Sequence, residues 1–353
     1  MIRVTIRRFS QLSKGDSHSF AIKEGKLYGW GMNNFGQLGF KNTKEWTEEM
    51  REPVGQLPPM KSVSAGVSHT TAIDENGLLW TWGANNYGQL GNGKTFESNY
   101  FPQCIYNTVA YSQISSTGMS NIALDVDGNI WTWGWNNGGK LGFSFEEDIL
   151  EPKKHDCPVK ISSIYSGIAH SIAIDENKDV WVFGDNKFNQ LGVDSIRRTL
   201  SFQKHPDLSS ITSAACGMGT TIVLDSNGDV YQSGTSKIDL FKSTNVKHKP
   251  FSKVLDLPEI EEISCGSFHH IVKDKEGQFW GWGSGDRGQF GNESRADIEK
   301  PKKLDIPYSI KQFICGADST IFLTSDNEIL FCGKKYFNAN GNTDILKIAI
   351  LNK

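Results

Sequence analysis

A glycine recurs about every fifty residues along the chain, and this period limits the fold more than any other feature. The seven anchor glycines are Gly15, Gly66, Gly118, Gly167, Gly217, Gly266 and Gly316. Repeats of roughly 20–50 residues are typical of solenoids and propellers, in which each unit buries its apolar surface against its neighbours. Because seven copies account for nearly all 353 residues, we expect one repeat domain over residues 1–353.

Two more glycines recur within each copy at fixed distances from the anchor. The second follows the anchor by 16 or 17 residues, and the third comes eight residues later in every copy except the fifth, which reads GTSKIDLFK. In four copies a tryptophan directly precedes the second glycine, at Trp30, Trp82, Trp133 and Trp282. The third glycine closes segments such as GMNNFGQLG and GWNNGGKLG. Each copy therefore combines close-approach glycines with a bulky aromatic, which we expect to pack in a core between units.

The local pattern of each copy predicts four short β-strands. Alternating apolar residues precede the anchor glycine, and short apolar runs such as HSIAID follow it. Turns such as DENG and DVDG then supply the residues that tight hairpins require. The third strand carries aromatics two residues apart, as at Trp80 and Trp82, which places both on one sheet face. A proline often marks the fourth strand, as expected for an outer edge.

Seven copies of four strands predict an all-β protein, a seven-bladed β-propeller of four-stranded antiparallel blades closed by a terminal strand. Two segments compete to be the outer strand of the last blade. The first, which we favour on its length, is the amino-terminal segment with Ile2, Val4 and Ile6. Its rival is the carboxyl-terminal tail with Ile345, Ile348 and Ile350. The sequence does not decide between them.

The pattern G-x-x-H-[ST]…W-G-x-N-x-x-G-Q-L-G resembles the repeat of the regulator of chromosome condensation family, across essentially all seven copies. The resemblance implies seven blades and non-covalent function. Members of that family include an exchange factor for the small GTPase Ran, ubiquitin-ligase modules and an ultraviolet-B photoreceptor, so the fold does not decide the function. The photoreceptor function is disfavoured because Val67, Met119 and Ile168 stand where its tryptophans would.

In the exchange factor, acidic residues and histidines just after the anchor glycines line the face that meets the GTPase. Carried over position by position, the resemblance implies a partner-binding face of Asp16, His18, His69, His170, His269 and Asp318. Copies three and five depart from it, with Asn121 and Thr220 at the histidine position. The β-wedge of the exchange factor has no counterpart in this sequence. The main alternative for the histidines is structural, an imidazole that bonds the local backbone of its turn.

Two tryptophans and several charged loops lie outside the repeat positions. Trp46 and Trp135 are predicted to be exposed partner contacts. Acidic residues, including Glu146 and Glu147, concentrate in copies one and three. Copies four and five carry the predicted basic loop contacts Arg197, Arg198, Lys237, Lys242, Lys247 and Lys249. These basic loops would steer an acidic partner, or they are simply solvated.

Motif searches of the sequence favour binding over chemistry. There is no nucleophile elbow, P-loop or HExxH segment, and the Asp-rich turns lack the spacing of an EF-hand. We therefore predict no metal, no cofactor and no active-site chemistry of the chain's own. Whether the chain is an exchange factor remains open at this point.

Net charge and hydropathy exclude two further classes of partner, nucleic acid and membrane. The formal net charge of −3 gives no general attraction to nucleic acid, and no run of about 20 apolar residues predicts membrane insertion. Six cysteines without short spacings predict free thiols in a reducing, cytoplasmic compartment, with a nuclear protein or a translocated bacterial effector as alternatives. We also expect a monomer. The leading hypothesis is a propeller that binds and regulates a Ran-like or Rab-like small GTPase. The alternative is a scaffold, substrate-recognition module or inhibitor of another protein.

Overall fold

The computed structural model describes residues 9–40, 46–53, 57–193, 197–235, 249–291, 295–334 and 346–348. Seven four-stranded antiparallel sheets are arranged as the blades of a propeller, and each sheet is built from four consecutive strands. The predicted fold class is therefore confirmed. Within the described ranges, no helix is long and apolar enough to cross a bilayer.

The strands of blades one to four follow one another in chain order. They are β1 (Phe9–Lys14), β2 (His18–Lys23), β3 (Lys26–Met32), β4 (Trp46–Arg51), β5 (Met60–Ala65), β6 (His69–Asp74), β7 (Leu79–Asn85), β8 (Phe96–Ile105), β9 (Tyr111–Thr117), β10 (Ser120–Asp125), β11 (Ile130–Gly134), β12 (Ile149–Lys154), β13 (Ile161–Ser166), β14 (His170–Asp175), β15 (Val180–Asp185) and β16 (Arg198–Lys204).

Blades five to seven repeat the same arrangement. Their strands are β17 (Ile211–Cys216), β18 (Thr220–Asp225), β19 (Val230–Gly234), β20 (Lys249–Lys253), β21 (Ile260–Cys265), β22 (His269–Asp274), β23 (Phe279–Gly283), β24 (Ile298–Lys303), β25 (Ile310–Cys315), β26 (Ser319–Thr324), β27 (Ile329–Gly333) and β28 (Leu346–Ile348). In every blade the first strand is innermost and contacts the first strands of both neighbouring blades.

The ring is closed where β1 of blade one lies beside β25 of blade seven. The Lys311 ammonium crosses this seam and donates a hydrogen bond to the carbonyl of Phe9 at 2.8 Å. The outer strand of blade seven is β28 from the tail, which pairs with β27 through Leu346 and Phe331. Our first choice for that position was therefore wrong. A tail strand follows its own blade after a short connection, whereas an amino-terminal strand would have to close a much longer loop.

The residues on which the two closure alternatives rested are mostly beyond the described ranges. Of these six residues, Ile348 lies in β28, whereas Ile2, Val4, Ile6, Ile345 and Ile350 lie outside the described residues. The structural decision therefore rests on the pairing of β28 with β27.

Tryptophans beside the second glycine fill the space between blades, as predicted. Trp82 and Trp133 are completely buried, and Trp30 and Trp282 are 4% exposed. The indole nitrogen of Trp82 also donates to the carbonyl of Gln37 in the preceding blade at 2.8 Å. The core aromatic thus forms a directed bond between blades in addition to burying apolar surface.

An aspartate that ends the second strand organises the turn that follows it. Asp125 accepts hydrogen bonds at 2.9 Å from the backbone amides of Asp127 and Asn129 and from the indole of Trp131. Burial would raise the pKa of Asp125, but the bonds from Asn129, Trp131 and Asp127 outweigh it and hold that pKa below its ordinary value. The Asp-rich segments are therefore β-hairpin turns, and one buried aspartate carboxylate holds the backbone of the turn.

The Asp125→Ala variant should lower the free energy of unfolding by about 1–3 kcal/mol, because three buried or half-buried donors lose their acceptor. Urea unfolding followed by circular dichroism measures this. The matched control is Asp127→Ala, which removes an exposed carboxylate from the same turn and should change stability by less than about 0.5 kcal/mol. Equal losses in the two variants would contradict this account of the turn.

Candidate functional site

The strand order places two kinds of loop on one face of the ring. Each inner strand ends at the anchor glycine, and the third strand of each blade returns to the same side. The GxxH turns and the loops between third and fourth strands therefore share one face. We call it the loop face; the opposite face carries the Asp-rich turns.

The four candidate histidines are buried between adjacent blades. His18, His69 and His269 have no exposed surface and His170 has 1%. Each imidazole Nε2 contacts a side chain at the start of the second strand in the next blade. The pairs are His18–Thr70 (2.9 Å), His69–Asn121 (2.8 Å), His170–Thr221 (2.8 Å) and His269–Thr320 (3.1 Å).

The contact partner fixes the tautomer of the imidazole. The Thr70 hydroxyl donates its only proton to the carbonyl of Gln37 at 2.7 Å. It must therefore accept a proton from His18, so Nε2 carries the hydrogen and Nδ1 does not. Within the described residues, the buried Nδ1 has no hydrogen-bond partner. His18, Thr70 and the Gln-Leu-Gly segment thus form one chain of bonds across the junction of blades one and two.

The anchor glycine provides the space for this imidazole. A Cβ built on Gly66 would lie 2.6 Å from Nδ1 of His69, and one on Gly167 would lie 2.7 Å from Nδ1 of His170. Any other residue would collide with the ring. Glycine and histidine recur together in the repeat because one makes room for the other.

Burial governs the chemistry of these histidines. It lowers the pKa of His69 to about 4 and that of His170 and His269 to about 3, and it lowers the pKa of His18 well below its ordinary value. Neutral, buried imidazoles present nothing to a partner on the loop face, so the geometry does not support direct partner contact for these four residues. The structural alternative also needs correction, because the imidazoles bond the next blade rather than their own backbone.

In the third copy, the residue at the histidine position is one place earlier in the sequence than the spacing from the anchor glycine predicts. Asn121 pairs with Ser116 in the same way as Thr70 pairs with Ala65. Asn121 is therefore the equivalent of Thr70, and Ser120 occupies the histidine position. Because β9 has seven residues where β5 has six, Thr117 takes the place of the anchor, and Gly118 lies one residue beyond it.

The two acidic candidates lie on the loop face beside the seam between blades one and seven, and Asp16 borders the central channel. Asp16 and Asp318 are half-buried. The Lys14 ammonium donates to the carbonyls of Gly15 (2.6 Å) and Asp16 (3.1 Å), and Lys334 lies 4.0 Å from the Asp318 carboxylate. Burial raises the pKa of Asp16, opposed by Lys14, and burial lowers the pKa of Lys14 to about 8. These carboxylates are accessible to a partner from the loop face.

The loop candidates divide into three groups. Trp135 is half-buried and packs against the ring of Tyr87, with 5.6 Å between centroids. Arg197 and Arg198 are exposed, but the Arg198 guanidinium forms an ion pair with Glu146 of blade three. The predicted basic and acidic loops therefore partly neutralise each other.

For the remaining five loop candidates, the structure does not describe the side chain. Lys237, Lys242 and Lys247 lie outside the described residues. Trp46 lies in β4 and Lys249 in β20, where only their backbone is described. The prediction that these five residues contact a partner stays a prediction.

Acidification should destabilise the ring through the buried histidines. A histidine with an ordinary pKa near 6.5 when unfolded and about 3 when folded binds its proton only in the unfolded state between those values. The free energy of unfolding is therefore unaffected well above pH 6.5 and falls as the pH drops towards 3. From pH 7 to pH 5 the loss is about 2 kcal/mol for each such residue.

His170→Gln removes one titrating group and should reduce the pH 7 to pH 5 loss of unfolding free energy by about 2 kcal/mol. Thr221→Val is the matched control, since it deletes the same interblade bond but keeps the histidine. It should lower stability at both pH values and leave the pH dependence in place. The measurement is the free energy of unfolding of each variant by chemical denaturation at pH 7 and pH 5. If His170→Gln keeps the pH dependence of the unmodified chain, His170 does not cause the loss of stability on acidification.

Comparison with known proteins agrees with the geometry. The model of the RCC1-like domain matches residues 3–237, and models of the regulator of chromosome condensation (RCC1) repeat match residues 260–289 and 276–323. The Arabidopsis thaliana ultraviolet-B receptor UVR8 is 33% identical over 168 residues, 46% of this chain and 38% of the receptor. The Xenopus laevis regulator of chromosome condensation is 29% identical over 169 residues, 46% and 40% of the two chains. The chain thus matches less than half the length of these relatives.

Solved structures share the fold over most of the chain. Human WBSCR16 superposes with a TM-score of 0.80 at 19% identity, covering 90% of this chain and 87% of that one. Saccharomyces cerevisiae Prp20p, studied for its binding to Gsp1p and histones, has a TM-score of 0.75 at 21% identity, with coverage of 88% and 80%. Because the RCC1-like domain model alone spans residues 3–237, the chain belongs to the regulator of chromosome condensation (RCC1) family.

Proposed function

We propose that this chain binds a Ran-like or Rab-like small GTPase on its loop face and accelerates release of the bound nucleotide. Its relatives include the regulator of chromosome condensation, and the RCC1-like fold supports a protein-interaction or regulatory role. The observation that carries the proposal is the pair Asp16 and Asp318, two half-buried carboxylates of adjacent blades on the loop face beside the seam. They occupy the position at which the family resemblance expects partner contact.

The proposed mechanism is non-covalent. A surface that binds the nucleotide-free GTPase more tightly than the GDP-bound form lowers the barrier to GDP release by that difference in binding free energy. Asp16 and Asp318 would supply acceptors for basic or amide groups of the GTPase. The buried histidines contribute indirectly, since they hold blades in register and so keep the two carboxylates at a fixed distance across the seam.

The purified chain should accelerate release of a fluorescent GDP analogue from at least one member of a panel of Ran-like and Rab-like GTPases. The double variant Asp16→Asn, Asp318→Asn should slow that release at least about tenfold, the equivalent of 1.4 kcal/mol of lost contact. The control is Asp127→Asn, an exposed carboxylate on the opposite face. No acceleration with any GTPase of the panel would end the exchange proposal.

A second candidate function is binding without exchange, as a scaffold, substrate-recognition module or inhibitor. The pairing of Arg198 with Glu146 favours it, because self-neutralised loops leave fewer charges to rearrange a GTPase. The basic loop of blade five then becomes the leading partner contact. Under this proposal the chain acts in the cytoplasm as a monomer.

Mass spectrometry of proteins that co-purify with the chain would identify such a partner. Lys242→Glu with Lys247→Glu should weaken its binding at least about tenfold at low salt and less at high salt, because the contact is electrostatic. Lys204→Glu is the control, since Lys204 is already paired with Asp179 at 2.5 Å. Affinity that does not change in the double variant would remove the basic loop from the binding surface.

A further inference from the structure

The junction between blades three and four lacks the imidazole that four other junctions use, as do the junctions that follow Thr220 and Ser319. Ser120 stands at the histidine position, and Thr117 replaces the anchor glycine that makes room for the ring. The same blade has Lys140 where four described copies have glutamine, three of them in Gln-Leu-Gly and the sixth in Gln-Phe-Gly. In those copies the glutamine Oε1 accepts a backbone amide two residues earlier, as Gln89 does from Tyr87 at 2.9 Å. A lysine has no acceptor, so its side chain takes a different course.

The Lys140 side chain turns into the space left by the missing imidazole. The residue is only 4% exposed. Its Nζ lies 3.5 Å from the carbonyl of Ile168 in blade four, and a Cβ built on Gly118 would lie 3.7 Å away from it. Thr117, Ser120 and Ile168 help to line a small cavity beside this amine, of about 10 Å³. That volume holds roughly one oxygen-sized atom.

The amine lacks a counter-ion in the described part of the chain. An ammonium has three N–H donors, and the structure gives it one acceptor at the outer limit of hydrogen-bond distance. No described carboxylate lies within 4 Å of it. Burial lowers the pKa of Lys140 to about 7, and the more distant Asp148 only partly opposes this. A buried cation of this kind is costly to form, and a carboxylate placed beside it would remove most of that cost.

A pair of aromatic rings lies beside the Lys140 amine. The Lys140 Nζ lies 4.0 Å from the ring centroid of Trp135, which packs against Tyr87. Both aromatic rings are half-buried, and both residues belong to loops of the loop face. Half-buried tryptophan and tyrosine next to a charged group are typical of the residues that dominate protein–protein binding.

We propose that Lys140, Trp135 and Tyr87 form an anchor site for an acidic side chain of the protein partner. One carboxylate oxygen enters the cavity and accepts a hydrogen bond from Lys140 Nζ, while the two rings pack against the methylene groups. The cavity admits a single oxygen and offers one cation, which suits a carboxylate better than a phosphate dianion. The inference rests on the proposed function, because it takes the ligand of this site to be a side chain of the protein that the loop face binds.

Sodium acetate tests the site without any partner. Lys140 is titrated by NMR of its Cε and Nζ in the full chain, with acetate replacing chloride at constant ionic strength. Acetate at saturation should raise the pKa of Lys140 by at least one unit, a tenfold preference of the anion for the charged amine. Lys14 is the internal control, because its buried ammonium already has two carbonyl acceptors. An unchanged pKa, or an equal shift at Lys14, overturns the inference and leaves the proposed function untouched.

The co-purified partner tests the biological occupant. Lys140→Gln restores the residue of the other repeats, so the variant should fold, and it should bind the partner at least tenfold more weakly. Lys153→Gln is the matched control, since its ammonium also lies over an aromatic ring, Phe145 at 4.5 Å, but on an exposed position. A partner that binds Lys140→Gln and the unmodified chain equally overturns the anchor site while the proposed function stands.

Discussion

One backbone carbonyl, that of the glutamine before the third glycine, joins neighbouring blades in four of the repeats. The carbonyl of Gln37 in blade one accepts hydrogen bonds from Thr70 and Trp82 of blade two. The equivalent carbonyl of Gln89 accepts from Asn121 and Trp133 of blade three. A buried carbonyl needs hydrogen-bond donors, so the Gln-Leu-Gly loop of one blade requires donor side chains at two positions of the next blade. The recurrence of tryptophan before the second glycine, and of threonine or asparagine opposite the histidine, follows from this shared acceptor.

The fold was predictable because its determinants are periodic. The spacing of glycines and the paired aromatics at Trp80 and Trp82 were sufficient for blade number, strand count and the burial of the tryptophans. Periodicity does not show which neighbour a residue contacts, and so the interblade role of His170 was missed. The same limit explains the ion pair of Arg198 with Glu146, whose loops are far apart in sequence and adjacent in the ring.

The errors at single positions have local causes. In the third copy Gly118 fits the glycine period, but the extra residue of β9 moves the anchor position to Thr117. The closing strand was undecidable because both terminal segments alternate apolar residues. The lysine in GGKLG was the one available signal for the cavity between blades three and four, since copies one, two, four and six carry glutamine at that position. The effect of a residue that departs from the repeat pattern can be judged only when the residues that it contacts in the folded chain are known.

The closing seam differs from the other six junctions in how the chain reaches it. Neighbouring blades elsewhere join residues about fifty positions apart, whereas Lys311 and Phe9 are separated by 302 positions. Within the described strands, each blade is completed from its own stretch of chain, without exchange of a strand between first and last blades. Blades one to six can therefore assemble in order as the polypeptide leaves the ribosome. The two blades at the seam come from opposite ends of the repeat series, so their separation there would leave every described sheet intact.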